Sequence, residues 1–120
     1  MLPRTLRLKR PQDFQTVRRR GSRWRGPLFT LYTLPNGLAH NRFGVVVSKK
    51  VGNAVIRNLV KRRVRAAVAH WLPRLLGGKD YVIIMNPPAA EAPYQLLDNA
   101  LENAFRDQRL FAAHDEEVVV

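Results

Sequence analysis

The stretch Asn53-Ala-Val-Ile-Arg57-Asn58-Leu-Val-Lys61-Arg62-Arg63-Val-Arg65-Ala-Ala-Val-Ala-His-Trp71 reads as a helix with two opposed faces, and the elements on either side of it define the fold. Set out at about 100° per residue from Arg57, the side chains of Arg57, Lys61, Arg65, Asn58 and Arg62 fall at about 0°, 40°, 80°, 100° and 140°, while Ile56, Ala67, Val60, Trp71 and Val64 fall between about 260° and 340°. One face is apolar and must be buried; the other is a cationic stripe. Asn53 can cap the open first-turn amides, and Pro73 with Gly77-Gly78 closes the region. Like charges four residues apart, such as Arg57, Lys61 and Arg65, destabilise a helix by about 0.2–0.5 kcal/mol per pair. A merely solvated face would intersperse Glu among the cations, and none occurs from Asn53 to Trp71. The stripe therefore calls for a polyanion. Arginine can hold phosphate through two parallel hydrogen bonds, Asn58 adds a neutral donor and acceptor able to reach sugar or base edges, and Lys49, Lys50 and Gly52 bring further charge and backbone amides to the helix entry.

Upstream, Arg42-Phe-Gly-Val-Val-Val-Ser48 is a β-branched run suited to a buried strand. From Arg25 to Leu34 the pattern alternates, with Phe29, Leu31 and Thr33 on one side and Thr30, Tyr32 and Leu34 on the other, before a turn at Pro35-Asn36-Gly37. An antiparallel hairpin between these two strands is the simplest pairing, with room for a further strand split off over residues 22–28. Residues Pro11 to Arg20 read as a short helix, with proline at its first position, Asp13 in the first turn, Arg18 to Arg20 in the last turn and Gly21 as the stop. Downstream, Tyr81 to Asn86 is a central strand ended by Pro87-Pro88, and Tyr94, Leu97, Leu101, Ala104 and Phe105 recur at helical spacing through Arg109. The order is α-β-β-α-β-α, or α-β-β-β-α-β-α with the split strand, in one α+β domain over residues 1–113. Residues 114–120 read as an acidic C-terminal tail.

The 120 residues, 46% of them hydrophobic, suffice for one modest core. The net charge of +12 is segregated: residues 1–70 carry 17 Lys and Arg against Asp13 alone, whereas residues 71–120 carry four basic and eight acidic side chains. Such a field favours nucleic acid over other acidic partners. No apolar run approaches the ~18 residues of a membrane span, and the N-terminus lacks the apolar core of a secretory signal. Its Arg-rich start shares composition with organellar transit peptides but leads straight into patterned elements. The absence of cysteine excludes disulfides, thiolate zinc sites and cysteine nucleophiles, and is compatible with a reducing cytoplasm.

Evidence for protein-only catalysis is thin. His40 and His70 have no carboxylate at acid/base spacing, and the His-Asp-Glu-Glu run at 114–117 reads as a solvated terminus rather than a metal site. Glycine-rich phosphate loops are missing, so a free-standing nuclease is disfavoured. Among the aromatics, Phe29 reads as core, while Phe14 and Tyr32 stay open between packing and stacking on unpaired bases, the latter worth ~1–3 kcal/mol per base.

Residues Arg42 to Arg65, with Ser48, Lys49-Lys50, Gly52-Asn-Ala-Val55, Arg57-Asn58 and Lys61-Arg62 at this spacing, resemble the signature of the bacterial ribonuclease P protein. Leu8 to Val17 is similar to that family's first helix, Phe29 to Thr33 to its first strand, and Asp80 to Ile84 to the strand after its long helix. The resemblance spans residues 6–110. It implies an α-β-β-β-α-β-α sandwich with a mixed four-stranded sheet and a left-handed βαβ crossover, against the usual right-handed rule. It also implies a cytoplasmic ribonucleoprotein endoribonuclease that removes the 5′ leader of precursor tRNA, with catalytic groups and Mg2+ in the RNA subunit and no catalytic or metal-binding residue in this chain. The implied partners are the catalytic RNA and precursor tRNA, not DNA or a membrane. By position, Lys49, Lys50, Asn53, Arg57, Asn58, Lys61, Arg62 and Arg65 would face the catalytic RNA, and Phe14 and Tyr32 would line a cleft for the single-stranded leader. Arg18 stands where a second aromatic is common, which shifts leader binding toward charge. Leu59 stands where the family often has arginine, with Arg63 as a candidate substitute. The alternative, a basic ribosomal or RNA-chaperone protein without a role in cleavage, shares the helix but predicts no preference for a leader.

Overall fold

The computed structural model describes residues 2–112, so the boundary at 113 and the acidic tail lie outside the described residues. Helix α1, Pro11–Arg20, has the bounds its punctuation dictates: proline at the start, Asp13 in the first turn, three arginines in the last. The Gly21 N–H donates to the Val17 carbonyl at 2.8 Å before the chain turns into β1, Ser22–Arg25. Strands β2, Phe29–Pro35, and β3, Arg42–Val46, follow. Helix α2 spans Ala54–Trp71, strand β4 Lys79–Met85 and helix α3 Tyr94–Asp107. Short 3-10 turns occupy Arg4–Leu6, Leu72–Arg74 and Pro87–Glu91. The separate strand over 22–25 gives the α-β-β-β-α-β-α order.

Among the described residues the sheet has four strands in the order β1-β2-β4-β3, with β1–β2 and β2–β4 antiparallel and β3–β4 parallel. The expected hairpin between β2 and β3 does not form, because β4 lies between them. The reason is burial. Tyr81, Val82, Ile83 and Met85 are all buried, so β4 gains most where neighbours flank both its edges and layers cover both its faces. A buried ion pair fixes the register. Arg42 on β3 and Asp80 on β4 are cross-strand partners, and the guanidinium grips the carboxylate through Nε–Oδ1 at 2.8 Å and a second nitrogen to Oδ2 at 2.7 Å. Asn36, in the loop leaving β2, donates to the same Oδ1 at 2.9 Å. The hydrogen bond to Asp80 raises the Arg42 pKa above its ordinary value.

The alternation read in β2 is borne out: Phe29, Leu31 and Thr33 are buried, while Thr30, Tyr32 and Leu34 are half-buried on the opposite face. Phe29 and Leu31 join a core with α2 and α3 through Val60, Val64, Leu97, Leu101 and Phe105. At its centre Tyr81 stacks on Phe43 at 4.5 Å and 9° and meets the edge of Phe105 at 5.9 Å. The second face carries α1 and the N-terminal segment around buried Leu8, Val17 and Val82. The Leu8 N–H donates to the Phe43 carbonyl at 2.8 Å, which seals part of the outer edge of β3. No helix among the described residues is long and apolar enough to cross a membrane.

Candidate nucleic-acid interface

Helix α2 buries Val60, Val64, Ala67, Val68 and Trp71, leaving the predicted stripe outside. The stripe divides into two rows: Asn58 and Arg62 are exposed, whereas Arg57, Lys61 and Arg65 are half-buried. Among the described residues no carboxylate lies within ion-pair distance of Arg57, Lys61, Arg62 or Arg65. Their charge is therefore open to an external anion. Arg63 does not extend this surface: it donates to the Ala92 carbonyl at 3.0 Å, tying α2 to the segment before α3. The place of the missing arginine at Leu59 is not filled by Arg63.

Asn53 has a structural duty as well as an exposed position. Its Oδ1 accepts the Ile56 N–H at 3.0 Å, capping α2 where no acidic residue occupies the first turn. Replacing Asn53 by Ala lowers unfolding free energy by about 1 kcal/mol in the protein free of RNA, and Asn53→Asp restores it; urea denaturation measures both. Lys49 and Lys50 are exposed on the turn that enters this helix, held by the Val51 N–H donating to the Ser48 carbonyl at 3.1 Å.

The second surface is a cleft between α1 and the sheet. Strand register aligns two rows of side chains on this face, each crossing all four strands: Arg23, Tyr32, Val82 and Gly44, then Arg25, Thr30, Ile84 and Val46. Gly44 is the glycine the fold needs here. A Cβ on it would lie 2.3 Å from Phe14 Cε2 and 2.5 Å from Cζ, so the Phe14 ring lies directly on the bare backbone of β3. Gly44→Ala drives this half-buried ring outward and costs about 1 kcal/mol of stability, with most of that loss absent in a Phe14→Ala background; a double-mutant cycle by thermal unfolding reads the coupling. Sequence reasoning missed Gly44 because its role depends on a ring thirty positions away.

Phe14 and Arg65 line one depression of about 290 Å3, together with Arg4, Arg7 and Lys9. Tyr32 lines a second, of about 440 Å3, with Gln15, Arg18 and Arg19. The stripe and the cleft thus meet at Arg65. Arg18 lines the same depression as Tyr32, at the position where the family commonly has a second aromatic. Neither depression has a carboxylate in its lining.

His70 does acquire a carboxylate that the sequence does not place near it: its Nδ1 lies 2.8 Å from Asp98 Oδ1, and the Tyr94 hydroxyl donates to the same oxygen at 3.4 Å. The Trp71 indole donates to the Asp98 carbonyl at 3.3 Å. The His70 and Trp71 contacts clamp α2 to α3. Among the described residues no group of three His, Cys, Asp or Glu side chains could hold a metal ion.

The arrangement has close counterparts. A family model described as Ribonuclease P matches residues 2–109. The ribonuclease P protein component of Synechocystis sp. is 42% identical over 106 residues, covering 87% of this chain and 86% of its own length. That of Bacillus velezensis is also 42% identical over 106 residues, with 88% and 90% covered. The RNase P protein of Staphylococcus aureus superposes with a TM-score of 0.82 at 33% identity, covering 89% of this chain and 98% of that one. Since the matched residues run from the N-terminal turn through α3, and so include the stripe, the capped turn and both walls of the cleft, this chain belongs to the ribonuclease P protein family.

Proposed function

We propose that this chain serves as the protein subunit of ribonuclease P in the cytoplasm, seating the catalytic RNA along α2 and holding the single-stranded 5′ leader of precursor tRNA in the cleft between α1 and the sheet. The observation that carries this reading is the meeting of the two surfaces at Arg65 and Phe14, which line the same depression. A leader emerging from the RNA-bound tRNA would pass from the cationic helix directly onto an aromatic, basic floor. Lys49, Lys50, Asn53, Arg57, Asn58, Lys61, Arg62 and Arg65 contact the catalytic RNA; Phe14 and Tyr32 stack with unpaired leader bases, and Arg18 contacts leader phosphate.

The chemistry divides accordingly. Mg2+, bound by the RNA, supplies the activation for phosphodiester hydrolysis; the protein side chains at these surfaces are cations and aromatics that bind and orient. Neutralising crowded phosphates reduces repulsion between the catalytic RNA and the precursor, so less Mg2+ is needed, and the benefit weakens with monovalent salt. Because only the precursor has a leader, the cleft favours substrate over mature tRNA.

A photoreactive aromatic at position 32, in a complex with catalytic RNA and precursor tRNA, tests the assignment. Crosslinks to the leader are expected; crosslinks confined to the catalytic RNA, or equal labelling of mature tRNA, contradict it.

A further inference from the structure

Resting on the leader-cleft reading above, we propose that Arg23 and Arg25 on β1 form a distal phosphate-binding wall of the cleft, holding the part of the single-stranded leader farthest from the cleavage site. The register decides which way they point. Arg23 pairs with Tyr32 and Arg25 with Thr30, so the two-residue period of a strand puts both arginines on the same face as Tyr32. The intervening Trp24 confirms the alternation from the other side: its indole N–H donates to Asp107 Oδ2 on α3 at 2.9 Å, and its ring sits 5.4 Å from Phe29.

Each side-chain row across the sheet therefore ends in an arginine. Both arginines are exposed, and among the described residues neither has an ion pair or a side-chain hydrogen bond. From Gly44 beneath Phe14 to Arg23 the first row crosses three interstrand steps, about 14 Å in all, with Tyr32 on the way and Arg18 and Arg19 flanking it from α1. Arginine on an edge strand also discourages edge-to-edge pairing. That purpose would be met by charge pointing to either face; here both charges point to the face that holds the aromatic. The ligand chemistry is a single-stranded polyphosphate backbone passing over a base-stacking ring. Arg65 marks the end of the cleft nearest the α2 stripe, and β1 is the opposite edge of the sheet, which makes its arginines the distal contacts.

The test compares wild-type protein with the Arg23→Ala/Arg25→Ala variant, each assembled with the catalytic RNA. Affinity is measured for precursor tRNAs whose scissile linkage resists cleavage and whose leaders increase in length from zero. Each single-strand phosphate neutralised contributes about 0.7 to the slope of log affinity against log salt. The two contacts therefore predict a wild-type advantage of about 25-fold at 0.1 M monovalent salt, and a slope lower by about 1.4 in the variant. The advantage should emerge only once the leader is long enough to reach β1, and Arg23→Lys/Arg25→Lys should recover most of it. A deficit of equal size for mature tRNA or for the catalytic RNA alone overturns the inference, as does equal affinity of the two proteins for every leader. A Tyr32→Ala arm separates the levels. Loss of leader dependence there but not in the arginine variant refutes the distal wall alone, whereas a wild-type protein with no leader dependence refutes the cleft reading and the wall with it.

Discussion

Replacing Arg42 by Ala lowers the unfolding free energy by about 3 kcal/mol, the lower end of the range for stranding one partner of a buried ion pair. Asp80 is only 8% exposed and takes both prongs of the guanidinium, while Arg42 itself is 27% exposed, which places the effect toward the lower end. Asn36 remains as a donor to Asp80 but brings no charge. Against a domain stability of about 5–15 kcal/mol, this one side chain holds a substantial share. Arg42→Lys keeps the charge but cannot reproduce the planar fork, so an intermediate loss is expected. Urea denaturation should show a lower midpoint with an unchanged slope. A loss below about 1 kcal/mol would mean that the β3–β4 register is held by packing rather than by this pair.

The second large effect is on RNA affinity. Each duplex phosphate neutralised contributes about 0.9 to the salt slope, so Arg57→Ala/Arg65→Ala should reduce that slope by about 1.8 and weaken binding to the catalytic RNA roughly 60-fold at 0.1 M salt. Stability should move the other way. Removing these charges relieves the repulsion of the i,i+4 pairs Arg57–Lys61 and Lys61–Arg65, a gain of about 0.2–0.5 kcal/mol for each. Salt titration of RNA binding and thermal unfolding of the free protein read the two effects separately. Weakened binding combined with a destabilised free protein would assign the arginines to the fold instead of to RNA.

Much of this molecule is written locally, and that part could be read from sequence. Proline, Asp13 and the three terminal arginines punctuate α1 within ten residues, and Asn53 announces α2 by a cap that reaches only three residues along the chain. The stripe is equally local, since helical period alone brings Arg57, Lys61 and Arg65 together. Pairing between strands was not legible in the same way. Proximity in sequence favoured a β2–β3 hairpin, but the contacts that decide the sheet join residues far apart, as Arg42 and Asp80 do across 38 positions. The uniformly apolar run Tyr81–Met85 did hold the clue, because a strand buried on both faces belongs between two others. The cleft was legible only in fragments. Phe14 and Tyr32 were ambiguous as isolated aromatics, Gly44 had no visible partner, and Arg23 and Arg25 acquired a direction only when register set them beside Tyr32 and Thr30. His70 and Asp98 meet across 28 positions for the same reason, through the packing of α2 on α3.

In the proposed function the protein binds and positions RNA while the RNA subunit cleaves. The most direct test is cleavage of precursor tRNA at limiting Mg2+ by a bacterial ribonuclease P RNA, with and without this protein, beside a protein-only control. Stimulation requiring both components, and declining as monovalent salt rises, is the predicted result. Cleavage by the protein alone, or RNA-catalysed cleavage indifferent to its presence, would contradict the division of labour between protein surface and catalytic RNA.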